Sequence, residues 1–323
     1  MAVQPPDLAA NASSGSSGNR AGLGTGPGGA DPTGAGPTAT TPPGRNRGRG
    51  RGRRERTGRD IWIPGAILGL IMLACFLWPL VYRDLPSPTT GSLLHANLPP
   101  FSPGHLLGTD PLGNDIVARL LYGGRVSLEV GLTSNLIGLV LGGSLGMFAA
   151  FKGGWLETLT MRVLDMLIAF PSLVLVLVVS TYLTPSKLNV IWAISFFSIP
   201  TFARLARAAT LRLREQVYVV AARLAGQRDG TILVRHIAPN VLPQLLTYSL
   251  LWVAAAITIE ASLSFLGFGV PASEPSWGMM ISRGQAYISS NPELVLIPSA
   301  CLFLTIVCLN TLGDALRART GAP

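Results

Sequence analysis

An all-α polytopic membrane protein is the fold class this chain predicts, and three observations carry the prediction. Apolar residues make up 48% of the 323 against 13% charged, with a mean hydropathy of +0.43, which is too apolar for a soluble domain. Six apolar runs are each long enough to cross about 30 Å of hydrocarbon at roughly 1.5 Å per residue. Twenty of the 25 Lys and Arg fall on one side of the resulting topology. Only Arg83, Arg119, Arg125, Lys187 and Arg283 fall on the other, so both termini are expected in the cytoplasm.

The expected elements run as follows. Residues 1–60 form a cytoplasmic tail, with 1–44 so rich in Gly, Pro, Ser, Ala and Thr that they are expected to be disordered. Eight Arg from Arg45 to Arg59 follow, interleaved with Gly. Such a run suits nucleic acid, but it abuts an apolar segment, where it suits anionic lipid and sets topology; no nucleic-acid partner is expected. Residues 61–82 are the first span, an uncleaved anchor whose Gly65 and Gly69 offer a small-residue packing face. Residues 83–124 are extracytoplasmic. There Asp110 and Pro111 read as the cap and first residue of an interfacial helix, with Asp115 and Arg119 paired one turn apart on its polar face.

The remaining spans are placed at about 126–151, 157–182, 188–206, 241–266 and 294–312, followed by a cytoplasmic tail at 317–323. Gly138, Gly142 and Gly146 form a ridge on the second span. Arg162 and Asp165 pair at the start of the third, which Pro171 is expected to kink. Between the fourth and fifth spans lies a polar, Arg-bearing insert at 216–238, tethered at both ends to membrane-crossing helices. Gly226 is expected to close one short helix there, Asp229 to cap a second, and Pro239 to stop it.

Two stretches carry a family resemblance. His105 to Leu128 closely resembles the signature HPLGTDxLGRDxxSRxxYGxRxSL of dipeptide, oligopeptide and nickel importer permeases. It keeps Gly108, Thr109, Asp110, Leu112, Gly113, Asp115, Arg119, Tyr122, Gly123 and Arg125, while Leu106 replaces the Pro and Asn114 the Arg. Ala221-Ala222, Gly226 and Pro239 resemble the EAA loop of ABC importer permeases, with Val220 where that family usually has Glu. Glu260 to Gly267 and Pro275 to Gly278 resemble the same family, so the likeness covers about residues 100–316.

The resemblance implies the ABC type I importer permease fold over 125–316. It implies coupling to ATPases through Val220, Ala221, Ala222, Arg223, Gly226, Arg235, His236 and Pro239. The implied partners are a second homologous permease, two ABC ATPase subunits, an extracytoplasmic substrate-binding protein and the lipid bilayer. The implied cargo is a dipeptide or oligopeptide, with nickel or another small solute as the alternative.

The residues also exclude chemistries. No G-x-x-x-x-G-K-[ST] occurs, so the chain is expected to be no enzyme and to bind no cofactor, with ATP used by partner subunits. Cys75, Cys301 and Cys308 lie in apolar runs, and His95, His105 and His236 outside the spans, so no metal site is expected. Gly142 to Gly146 satisfies G-x-S-x-G, but inside a membrane helix rather than at a strand-to-helix turn. A secondary carrier working alone would place ionisable groups near mid-bilayer. Glu260, with Ser262 beside it, comes nearest to this, either lining a translocation path or buried as a hydrogen-bonded structural carboxylate.

Overall fold

The computed structural model describes residues 51–81, 89, 91–169, 171, 186–271 and 273–320. The expected disorder at 1–44 and residues 170 and 172–182 of the third span lie outside them.

Helix α1 (Arg51–Val81) begins ten residues before the expected start at Ile61, inside the Arg-rich run. Past Gly52 that run is mostly Arg and Glu, good helix formers, and a helix nucleated in the apolar stretch extends through them at little cost. Gly65 and Gly69 meet nothing within 4 Å, so the face expected to pack a neighbouring helix is unused within the described chain.

Among the described residues, no separate interfacial helix precedes the second span. Helix α2 (Ile116–Ile137), a π-helical turn (Gly138–Gly142) and α3 (Gly143–Lys152) form one continuous rod. Its cap is Asp115, which accepts from the Ala118 amide at 2.8 Å. The Asp110 carboxylate is occupied by the amides of its own turn, at Leu112 and Asn114.

Gly153, at φ +69°, turns the chain into α4 (Gly154–Ile168). This helix ends before Pro171, which therefore kinks nothing in the described residues. Asp165 pairs with Arg204 at 2.7 Å rather than with Arg162, and Glu157 pairs with Arg207 at 2.7 Å. Both Arg lie on α5 (Lys187–Leu213), which runs well past the expected end at 206.

Helix α6 (Val217–Leu224) follows, then α7 (Asp229–Ile232), a π turn (Leu233–Ile237) and α8 (Ala238–Phe265). Pro239 does not stop a helix: it sits in the first turn of α8, where its missing N–H is tolerated. The wide turn before it absorbs the break, and Asn240 Nδ2 donates to the His236 carbonyl at 2.7 Å. Nor does Asp229 cap α7. The cap position is Arg228, and the Asp229 carboxylate faces Lys152 at 3.0 Å.

The loop expected at 267–293 contains a further helix, α9 (Trp277–Gly284), and α10 (Glu293–Thr320) completes the described chain. Among the described residues, four helical stretches are long and apolar enough to cross a membrane: Ile116–Lys152, Lys187–Leu213, Asp229–Phe265 and Glu293–Arg319. A fifth apolar stretch, Ile61–Leu77, is shorter.

Among the described residues, three apolar clusters hold these rods together. One joins α1, α2, α8, α9 and α10 around Trp277, Leu128 and Ile257. A second joins α2, α5 and α8 around Val130, Ile194 and Leu263. The third, around Phe202, Ile232 and Ile237, welds α6 and α7 to α3, α5 and α8. The glycine ridge is where α2 and α3 meet α5 most closely. A Cβ on Gly138 would stand 2.0 Å from Ser198 Oγ, on Gly142 2.2 Å from the Ile199 oxygen, and on Gly146 2.1 Å from the Ala203 oxygen.

Candidate functional site

The 216–238 insert is built on an amphipathic helix. Val219 and Ala222 are buried against Phe151, Phe202, Ile232 and Ile237, and this fixes the rotation of α6 about its axis. The opposite side carries Val217 at 83% exposure and Leu224 at 85%, with Val220 and Tyr218 between them. Exposed large aliphatic side chains on a short helix outside the apolar rods leave a surface suited to a protein partner.

The turn after α6 is a Schellman motif. The Gln227 amide donates to the Ala222 carbonyl at 3.2 Å, the Gly226 amide to the Arg223 carbonyl at 3.1 Å, and Gly226 sits at φ +75°. Arg223 lies over the Phe151 ring at 5.6 Å from its centroid, and His236 Nε2 and Gln227 Oε1 are 3.1 Å apart. Of the eight residues expected to couple, Ala222, Arg223, Gly226 and His236 thus build the shape of the segment. Val220 and Ala221 face outward from α6, and Arg235 and Pro239 are exposed on the following turn.

At the other end of the α2–α3 rod, the signature residues form a clamp on the start of α2. Gly108 and Gly113, at φ +78° and +74°, pass so close to the Leu98 and Ser92 carbonyls that no Cβ fits. Thr109 Oγ1 accepts from the Leu98 amide at 2.9 Å and donates to the His95 carbonyl. Arg119 Nη1 donates to Asp110 Oδ2 at 2.8 Å, while Asp115, already the helix cap, lies 2.8 Å from His105 Nδ1. Arg119 therefore pairs with Asp110, nine residues back, and not with Asp115 as its spacing suggested.

Leu112 is exposed at the edge of the clamp, and Tyr122, Arg125 and Glu129 line a polar hollow beside α5. There Arg125 Nε donates to Glu129 Oε1 at 2.8 Å and Lys187 Nζ to Oε2 at 2.9 Å. Gly123 and Gly124 let α2 approach Ser276 and Trp277.

Glu260 is fully enclosed. Ser127 Oγ donates to one carboxylate oxygen at 2.8 Å and Ser264 Oγ to the other at 2.6 Å, with Ser276 also hydrogen-bonded. The Trp277 backbone amide donates to Ser127 Oγ at 3.4 Å, and its indole Nε1 to the Leu120 carbonyl at 3.0 Å. Ser262 is half-buried on another face and donates to the Thr258 carbonyl at 2.8 Å. The sequence reading missed the three serines as partners of Glu260. All three, Ser127, Ser264 and Ser276, lie within the resembling stretches, at positions where a hydroxyl would otherwise be buried without reason.

Residues 142–321 match the family described as "Binding-protein-dependent transport system inner membrane component". A glutathione transport system permease protein of Pectobacterium atrosepticum is 40% identical over 216 residues, covering 67% of this chain and 72% of the relative. A dipeptide transport system permease protein of Alkalihalophilus pseudofirmus is 36% identical over 256 residues, covering 78% and 84%. A putative peptide transport system permease protein of Brucella suis is 39% identical over 259 residues, covering 80% and 86%. Among solved structures, an inward-facing MetNI methionine ABC transporter superposes with a TM-score of 0.51 at 17% identity. That match covers 62% of this chain and 95% of that one, a likeness of fold. A family match across the rods that carry α6, together with relatives matched over most of their length, establishes that the chain belongs to the binding-protein-dependent transport system inner membrane components.

Proposed function

We propose that this chain is one permease subunit of an ATP-driven importer, forming half of the transmembrane path for peptides of the dipeptide or oligopeptide class. The observation that carries this reading is α6: a short helix rigidly rooted in the bundle, with an apolar face turned outward and no phosphate-binding loop in its own sequence. Energy then comes from outside. Two ABC ATPases engage the 216–238 segments of this chain and of a second homologous permease, and an extracytoplasmic binding protein delivers cargo to the opposite end. In this reading the chain crosses the membrane six times, the third crossing at about 157–182, with both termini cytoplasmic. ATP-driven closure of the ATPases pulls the two segments together, and the rods rock between two states that differ in their contacts. The relatives named for dipeptides, peptides and glutathione support a peptide cargo over nickel.

The test is reconstitution with the partner subunits and the receptor in proteoliposomes, with labelled dipeptide outside. Uptake is expected only with all components and internal ATP. Equal flux in vesicles holding this chain alone, without ATP, would replace the reading with that of a secondary carrier.

Glu260 belongs in this reading to the frame that holds α2, α8 and α9 together. Glu260→Ala leaves buried hydroxyls without an acceptor and opens a cavity, at a cost of about 3 kcal/mol. Glu260→Gln keeps one acceptor oxygen and the volume. Thermal melts of the purified protein should rank wild type, Gln, Ala in descending order. Equal melting for all three, with altered peptide affinity, would instead put Glu260 on the cargo path.

A further inference from the structure

We infer that the polar hollow between α2, the start of α5 and residues 273–275 binds the two charged ends of a dipeptide. The inference rests on the peptide reading above and names the place where such a cargo is held. The hollow measures about 240 Å³ and is lined by Arg125, Glu129, Lys187 and Glu274, two cations and two carboxylates from three separate parts of the chain. Their pairing is uneven. Glu129 accepts from Arg125 Nε at 2.8 Å and from Lys187 Nζ at 2.9 Å, so one carboxylate serves both cations. Glu274 Oε2 accepts no hydrogen bond among the described residues, and Lys187 Nζ stands 3.9 Å from it, beyond hydrogen-bond reach.

The contacts therefore alternate in sign from Glu274 through Lys187 and Glu129 to Arg125, with a carboxylate short of donors at one end and a guanidinium at the other. The Glu274 side chain is 42% exposed, so its carboxylate can turn toward an ammonium in the hollow. Arg125 is 40% exposed and, among the described residues, hydrogen-bonds through Nε alone, while the Phe76 ring, its centroid 5.9 Å from Cζ, steadies the guanidinium plane. A planar guanidinium takes a carboxylate through two parallel N–H donors, and an ammonium beside an unsatisfied carboxylate forms a charge-assisted hydrogen bond. A hollow with balanced charge and separated poles thus fits a zwitterion better than a simple anion or cation. Tyr122, Val126 and Pro275 supply less polar wall for small side chains. The volume lies just below the roughly 300–1,000 Å³ of pockets that take drug-sized ligands, which suits two residues rather than a long peptide.

The full-length protein in lipid nanodiscs, with no receptor present, would be titrated calorimetrically with dialanine, N-acetyl-dialanine and dialanine amide. Dialanine is expected to bind with a Kd on the order of 1 mM or tighter, and each capped peptide at least about tenfold more weakly, a difference of roughly 1.4 kcal/mol. Glu274→Gln, which keeps the shape of an exposed side chain, should abolish the preference for the free amine and keep that for the free carboxylate. Arg125→Gln should do the reverse. Capped peptides binding as tightly as dialanine, no binding of dialanine, or two preferences that survive or fall together in both variants would overturn the proposal. ATP-driven uptake by the complete transporter, measured alongside, separates this failure from failure of the peptide reading: dialanine uptake that persists without any end-group preference removes the hollow as a cargo site and keeps the permease.

Discussion

Gly146→Ala is expected to remove most folded protein from the membrane. The added Cβ would stand 2.1 Å from the Ala203 carbonyl oxygen and 2.7 Å from the Ala203 carbonyl carbon and Cα. All three are backbone atoms of α5, so no side chain can swing away, and the helices must separate. Separation also loosens the approaches at Gly142 and Gly138, since all three glycines lie on one ridge. Between membrane helices this close packing is itself the attraction, because lipid tails are as apolar as the helix surfaces. Overpacking of a core typically costs about 1–3 kcal/mol, and a backbone clash shared along a ridge belongs at or above the upper end. Gly230→Ala serves as the control, because its Cβ meets nothing within 4 Å and its backbone is helical. Membrane abundance and the thermal midpoint of both variants check the contrast. Equal levels for Gly146→Ala and Gly230→Ala would mean that the ridge does not hold the two rods together.

That ridge was legible from the sequence, as were the four long apolar stretches among the described residues, Ile116–Lys152, Lys187–Leu213, Asp229–Phe265 and Glu293–Arg319, because glycine spacing and hydropathy are local properties that packing then exploits. The junctions were not. Pro239 reads equally well as a helix stop or as a first-turn residue. Which it becomes depends on whether the preceding turn can widen, and the Leu233–Ile237 turn does so because Ile232 and Ile237 are both buried in one cluster. Helix α9 was hidden for a related reason: its eight residues lie between proline- and glycine-bearing turns, and only burial of Trp277 against α2 reveals its purpose.

Ion pairing failed in a consistent way. Asp115 with Arg119, and Arg162 with Asp165, were both paired by helical spacing, and in both cases the structure gives the paired residue a partner from elsewhere in the fold. The spacing rule presumes that both residues belong to one exposed helix face. Asp115 is instead a cap whose oxygens are occupied by Ala118 and His105, and Asp165 faces α5. At the candidate coupling segment the sequence did better, because a Schellman turn is written in a single glycine. What it could not show was which face of α6 is buried, since Val217, Val219 and Val220 look alike until Val219 is found inside and the other two outside.

Substitutions at that glycine are expected to follow a conformational order, with Asn retaining most peptide uptake, Ala losing part of it, and Val losing about nine-tenths. Gly226 holds φ +75°, and a Cβ added there would meet nothing within 4 Å. Any effect must therefore come from the backbone and not from a clash. The left-handed region costs an ordinary residue roughly 1–2 kcal/mol, Asn less because its side chain bonds locally, and a β-branched residue most. An energy of that size lowers the fraction of segments holding the native turn by about tenfold. The α6 helix would remain, rooted by Val219 and Ala222, but its end and the path into α7 would be misdirected. Abundance in the membrane should stay near wild type, because Gly226 is exposed and contributes nothing to the three apolar clusters. ATP hydrolysis by the partner subunits should persist while uptake falls. Peptide uptake, ATPase rate and membrane level measured side by side for the three variants decide the matter. Wild-type uptake by Gly226→Val at normal abundance would show that the turn is not the lever through which the rods are moved.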